Sequence, residues 1–440
     1  MPRRAAPTAD PPAAAVGTVD PRRLFATLAG RRGLVLAVSG GADSTALMSL
    51  MAHWEERPPL LVATVDHGLR PESVGEARLV AENAARLGLP SRILTASERV
   101  ESGNLQDWAR RARYQCLSEA GREAGFDTIV TAHHRDDQAE TFLLRLARGS
   151  GIYGLASMPE EGTIDGIALA RPLLGLSHAT LVEVAAASGL AIVDDPSNAN
   201  PRFDRVRMRS FMPQLSAHGL APERLAETAD RLRRAAAAID RYATALLEDC
   251  FKADSFGVVR GDPAALTEAP EETGLRALAL LLRAVGGADY TPELRSLEAL
   301  YATLRNERSG QVHRTLHGVV VALAENRLTA RREWGRGDFS DSAASSGVTL
   351  VWDRRFRVEI PLLSGALGVG PLGRADLRLR SPLADQATLQ TLPGLFQNGI
   401  LVAVPQGISL SDGPGSLQNL AVECLVARRL GIESAAAPPG

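Results

Sequence analysis

Four groups of residues in this 440-residue chain have the types and spacing to do chemistry. The first is Ser39-Gly40-Gly41-Ala42-Asp43-Ser44, directly behind the apolar run 33–38. Paired glycines let a backbone turn its N–H groups toward a bulky anion, and a following helix start adds partial positive charge. Ser39 and Ser44 add hydroxyl donors, and Asp43 can hold a magnesium ion that phosphates also touch. A lone Gly-Gly pair is more often an ordinary strand–turn–helix corner; two serines and an aspartate around it favour a nucleotide phosphate. The second group is Val65-Asp66-His67-Gly68-Leu69-Arg70, a turn in which His67 and Arg70 can contact adenosine or pyrophosphate.

The third group is Thr131-Ala132-His133-His134-Arg135-Asp136-Asp137-Gln138-Ala139-Glu140-Thr141. A helix starting near Asp136 sets His133, Asp136 or Asp137, and Glu140 along adjoining faces. Acids in a first turn complement the helix dipole, which accounts for the Asp pair but not for two histidines and three carboxylates together. Such a set can hold magnesium with ATP phosphates, or bind a cationic amine; zinc is disfavoured because no thiolates lie nearby. The fourth is the helical stretch 104–114, with Arg110 and Arg113 three apart on one side. A solvated basic face is the plain reading, whereas beside a carboxylate-rich cleft Arg113 would hold an α-phosphate or a nucleotide.

Short apolar runs at 34–39, 60–66, 91–94 and 128–131 alternate with helically spaced stretches at 43–54, 71–88 and 104–125. Alternation of this kind predicts an α/β fold, a doubly wound and mostly parallel sheet covered on both faces. Ligands of such sheets bind at the carboxyl ends of strands, where the first three groups fall. Residues 1–18 read as a disordered tail rich in Pro and Ala, and 19–215 as the catalytic domain. A helical, arginine-studded domain follows at 216–334, with a small hairpin in its last twenty or so residues. The polar linker 335–347 leads to a small β-rich domain at 348–440.

Net charge is −2, so no global basic field announces a nucleic acid, although a local basic face suffices for one. Cys116, Cys250 and Cys424 form no Cys-x-x-Cys pair, which points to reduced thiols in the cytoplasm and against an iron–sulfur site. No apolar run reaches membrane-spanning length. The first loop lacks the Gly-Lys-Ser/Thr ending of a Walker loop, Lys252 being the single lysine, and it is not a Gly-x-Gly-x-x-Gly turn.

The Ser-Gly-Gly-x-Asp-Ser pattern resembles the pyrophosphate loop (PP-loop) of the ATP pyrophosphatase superfamily, a Rossmann-like fold. With His67-Gly68-Leu69-Arg70, Asn104…Arg113-Tyr114, His133-His134-x-Asp136-Asp137, Arg148-Gly149-Ser150-Gly151, Arg171-Pro172-Leu173-Leu174 and Asp195-Pro196-Ser197-Asn198 in order, residues 30–215 resemble the tRNA(Ile)-lysidine synthetase family. The resemblance implies ATP-dependent attachment of free L-lysine to C2 of the wobble cytidine of a CAU-anticodon isoleucine tRNA, with ATP and Mg2+ required. It implies that Ser39–Ser44, with His67 and Arg70, bind the nucleotide, and that Asp43 holds the metal. Asp136, Asp137 and Glu140 would orient the lysine cation, with His133 as proton acceptor. Arg113, Asp137, Arg205 and Arg209 would bind substrate, and a homodimer is left open. Val206 stands where the family carries Asn, and Asp107 where it carries Glu. Alternatives are another PP-loop tRNA-modifying enzyme, weakened by the missing cysteine pairs, or a catalytically silent nucleotide- or RNA-binding protein.

Overall fold

The structure, a computed structural model, describes residues 19–68, 72–96, 105–164, 166–194, 202, 204–306, 311–335, 339, 341–375, 379–382, 384–410 and 417–432. Arg70, Asn104 and the Asp195-Pro196-Ser197-Asn198 motif lie outside the described residues. The chain divides into two compact units, Met1–Ala236 and Ala237–Gly440.

After a short helix α1 (Pro21–Leu24), the first unit runs β1 (Leu34–Ala37), α2 (Ala42–Ala52), β2 (Leu60–Asp66), α3 (Ser73–Arg86), β3 (Ser91–Thr95), α4 (Leu105–Ala124) and β4 (Thr128–Val130). It continues through α5 (Arg135–Ala147), α6 (Ile152–Leu155), β5 (Glu161–Ile164), β6 (Ile167–Ala170), α7 (His178–Ala187) and α8 (Asp204–Ala217) into α9 (Pro222–Cys250). The six strands form one sheet in the order β3-β2-β1-β4-β6-β5. Neighbours pair in parallel (Leu34 opposite Leu60 and Thr128, Thr128 opposite Ala168), except that β5 returns antiparallel on β6 at the edge. The mostly parallel sheet expected from the alternation is therefore present. The β5–β6 hairpin is an addition, turning through Gly166 at φ 78°.

Period-2 alternation divides the strand side chains between two cores. Leu34 and Leu36 pack with Leu47, Met48, Val80 and Leu181, so α2, α3 and α7 cover one face. Val35, Ala63 and Ile129 pack with Tyr114 and Leu117 of α4 on the other. Every residue of α2 from Ser44 to Met51 is buried, and each large apolar side chain among them adds about 2 kcal/mol of burial. A third cluster joins Ala139, Phe142 and Leu143 of α5 to Met212 of α8 and Leu225 of α9.

In the second unit the segment read as helical also carries a five-stranded antiparallel sheet. Its strands are β7 (Phe251–Ala253), β8 (Val259–Gly261), β9 (Val312–Leu316), β10 (Val319–Ala324) and β11 (Arg327–Arg332), in the order β7-β8-β11-β10-β9. The expected hairpin is thus a three-strand meander. Both its turns place two residues at positive φ (His317 and Gly318, Glu325 and Asn326), the geometry of tight hairpin turns. Helices α10 (Pro263–Thr267), α11 (Glu271–Val285) and α12 (Leu294–Asn306) pack on this sheet. The rest of the unit is β-rich, including a seven-stranded sheet with its own core around Trp352, Phe356 and Leu395. No helix among the described residues is long and apolar enough to cross a membrane.

Candidate active site at the strand ends

The loop leaving β1 is held open by its own side chains. Gly40 sits at φ 90°, and a Cβ there would lie 2.6 Å from Val193 Cγ2, so only glycine fits. The Ser44 hydroxyl accepts from the amides of Ser39 (3.2 Å) and Gly40 (3.1 Å) and donates to the Gly41 carbonyl (3.0 Å). Thr45 Oγ1 donates to Gly40 O at 3.2 Å, and the Val193 amide reaches the same carbonyl at 2.9 Å. Gly41 caps α2 without any side-chain hydrogen bond, which leaves the first amides of that helix available to an anion.

Asp43, in the first turn of α2, meets residues from two other strand ends. His178, first residue of α7, places Nδ1 2.8 Å from Asp43 Oδ1, and its backbone amide donates to Asp136 Oδ2 at 2.9 Å. His134 caps α5: the Asp137 amide donates to its Nδ1 (3.4 Å), and its own amide donates to Asp137 Oδ2 (3.1 Å). That bond assigns the neutral-ring proton to Nε2, which lies 3.5 Å from both Asp43 Oδ2 and Asp137 Oδ2. Burial alone would lower the His134 pKa, but Asp43, Asp137 and Asp136 outweigh it and raise the value. Burial likewise works to raise the Asp43 pKa, and His134 and His178 outweigh it and hold it low. Ligand atoms of Asp43, His134 and His178 all lie within 4.8 Å of one another. An ionised Asp43 beside phosphate-binding amides suits magnesium, a hard cation that takes carboxylate and phosphate oxygens.

His133 stands apart from that cluster. Its Nδ1 lies 2.8 Å from Thr131 Oγ1, and its pKa is lowered to about 4 by burial, with Arg171, Arg205 and Arg110 adding to the effect against Asp137. One turn along α5, Glu140 is buried. Arg209 Nε of α8 donates to its Oε1 at 2.7 Å, while Oε2 is buried with no hydrogen-bond partner among the described residues. Arg205 donates to Thr141 Oγ1 at 3.2 Å. Past β2, His67 packs edge-on near Trp108, with both ring nitrogens buried and unpartnered among the described residues. Burial, and then the charge of Arg113, lower its pKa.

The residues singled out in the sequence thus fall into three groups along the carboxyl edge of the sheet. Asp43, Asp136 and Asp137 converge through two imidazoles; Glu140, Arg205 and Arg209 meet on α5 and α8; His67 and Arg113 lie past β2. Sequence reasoning missed His178 and assigned no role to His134. His134 belonged to the motif and could have been identified as a cap, being followed three residues later by Asp137. Nothing in the spacing marks His178, which lies 135 positions from Asp43 and 42 from Asp136.

Comparison with known proteins shows the family. The PP-loop domain model matches residues 19–215. The tRNA(Ile)-lysidine synthase of Ruegeria pomeroyi is 38% identical over 380 residues, covering 85% of this chain and 88% of that protein. Proteins of the same name from Bradyrhizobium sp. strain BTAi1 (43% identical, covering 71% of this chain and 93% of that one) and Methylobacterium sp. strain 4-46 (46%, covering 67% and 88%) are similar as well. A phosphate loop at the end of β1, a histidine-capped acidic helix after β4 and relatedness along most of its length leave one assignment: the chain belongs to the tRNA(Ile)-lysidine synthase family.

Proposed function

We propose that this protein uses ATP to activate the wobble cytidine of a CAU-anticodon isoleucine tRNA and ligates free L-lysine to its C2, releasing AMP and pyrophosphate. Relatedness to tRNA(Ile)-lysidine synthases over 85% of the chain carries this reading. Its chemistry accounts for the two kinds of environment at the site. Cytosine O2 leaves poorly until it is adenylated, after which it departs within AMP.

The amides at the start of α2 bind the pyrophosphate portion of ATP and stabilise its charge as it leaves. Magnesium, held by Asp43, would neutralise the same oxygens. His134 and His178 keep the Asp43 carboxylate ionised and aimed, so they act as positioning residues. Lysine's ε-amine must approach C2 and give up a proton. Asp137 and Glu140, whose Oε2 has no partner among the described residues, orient the ammonium; His133 is neutral at pH 7 and offers a lone pair to the proton, as a weak base with a pKa of about 4. Arg113 and Arg205 balance the α-phosphate and the cytidine. Three free cysteines, each with its thiol pKa raised by burial, suit a reducing cytoplasm.

The test is direct. Protein, ATP, magnesium, labelled lysine and a CAU-anticodon tRNA transcript are combined, with label in RNA and AMP release followed together. Label should enter the RNA one-for-one with AMP; a tRNA that binds but stays unlabelled would overturn the assignment.

A further inference from the structure

Arg171 lies at the carboxyl end of β6, beside the end of β4, and has no task in the scheme above. It is 8% exposed. Its Nη1 donates to the Pro159 carbonyl at 2.8 Å, whereas Nε is buried without a partner among the described residues. Several arginines of the first unit meet acids (Arg31 with Glu161, Arg92 with Glu123, Arg135 with Glu223, Arg209 with Glu140), and others, such as Arg57 and Arg145, bond backbone carbonyls through one nitrogen. Arg171 forms no ion pair among the described residues, and the charges acting on it are those of Tyr114 and of another arginine, Arg110. A buried guanidinium with its Nε–Nη2 edge unused is unfavourable until an anion meets it, and that planar edge matches two oxygens of a phosphate. Arg110, Arg171 and Arg205 also act together on His133, with the charge of Asp137 opposing them, so three arginines gather at this recess.

Position decides which phosphate it receives. The pyrophosphate loop follows β1, and β6 lies two strands away in the order β1-β4-β6, about 10 Å at about 4.8 Å per strand. His67, which the family resemblance assigns to the nucleotide, follows β2 on the opposite side of β1. The β4–β6 side is left for the acceptor. We propose that Arg171 is a substrate-binding residue that receives a backbone phosphate of the RNA next to the reacting cytidine. The inference rests on the reading of the protein as a tRNA(Ile)-lysidine synthase.

The experiment measures tRNA affinity as a function of salt for the wild-type full chain, Arg171→Gln and Arg171→Lys, with ATP affinity measured separately without RNA. One lost phosphate contact to a flexible single strand flattens the slope of log K against log salt by about 0.7. Arg171→Gln should show that flattening with ATP affinity unchanged within twofold, and Arg171→Lys should keep the wild-type slope. Weakened ATP binding with an unchanged tRNA slope would assign the phosphate to ATP and overturn the proposal. A lower melting temperature with both affinities intact would reduce Arg171 to a structural role, and overturn it equally. If Arg171→Gln does not fold, the wild-type protein serves with anticodon stem-loops carrying one neutral methylphosphonate. Substitution beside the wobble cytidine should flatten the slope by the same amount, and a uniform response at every loop position would refute the inference. Failure of the wild-type protein to bind the CAU transcript would refute the functional reading itself, separately from Arg171.

Discussion

His133 offers a quantitative test of the site's electrostatics. Its folded pKa of about 4 lies below the ordinary histidine value of about 6.5, so the unfolded chain takes up a proton first as pH falls. Stability is therefore lost between pH 6.5 and 4 and is unaffected above that window. With these two values the cost is near zero at pH 7 and about 2 kcal/mol at pH 5, a change of roughly 20-fold in the opening equilibrium. His134 works in the opposite sense: its raised pKa contributes stability below the unfolded value, lost as pH rises through the folded one. Comparing the wild type with His133→Gln cancels His134, which both proteins carry. Hydrogen exchange of the β1 and β4 amides, corrected for intrinsic rate, reports the opening free energy of the sheet that holds the site. Protection in the wild type should fall between pH 7 and 5 by about 2 kcal/mol more than in His133→Gln. Parallel pH profiles for the two proteins would refute the placement of His133 in a desolvated, cationic recess.

Three further outcomes follow from the geometry. Asp43→Asn should abolish AMP release while leaving tRNA affinity within a few-fold of wild type, measured by filter binding; equal loss of both would make the loop structural. Gly40→Ala forces a Cβ to within 2.6 Å of Val193 Cγ2 at φ 90°, and should weaken ATP binding at least about tenfold with about 1–2 kcal/mol of backbone strain. Trimming Val193 to Ala in addition should relieve the contact but not the strain, and full recovery of ATP affinity would contradict this account. Arg209→Ala leaves Glu140, whose side chain is 2% exposed, without its cation, and should cost about 2–3 kcal/mol in chemical denaturation. Adding Glu140→Gln should restore most of that loss.

What could be read in the sequence was what is local. The β1–loop–α2 corner and the β4–α5 corner each sit within a dozen residues, where alternation, glycine pairs and first-turn acids are visible together. The third corner, β6 to α7, offered only the Arg171-Pro172-Leu173-Leu174 motif, with no role attached, so the places of His178 and Arg171 emerge only once the strand order sets β6 beside β4. The β5–β6 hairpin escaped notice although Asp165-Gly166 is a hairpin-turn dipeptide, because only the run after it, Ile167 to Ala170, is apolar. In the second unit, β7 and β8 are three residues each, too short for a period to register, and β8 pairs with β11 across some seventy residues. The Arg209–Glu140 pair, 69 positions apart, is likewise set by how α8 packs on α5.

The burial of α2 has a mechanical consequence. Ser44 through Met51 are closed off on every side, and the loop at the head of this helix is pinned by Ser44, Thr45 and Val193. The proposed nucleotide anchor is therefore the anvil of the site. It arrives preformed, and ATP spends little of its affinity ordering it. Any closing, opening or product escape must be supplied by walls that are not packed around α2.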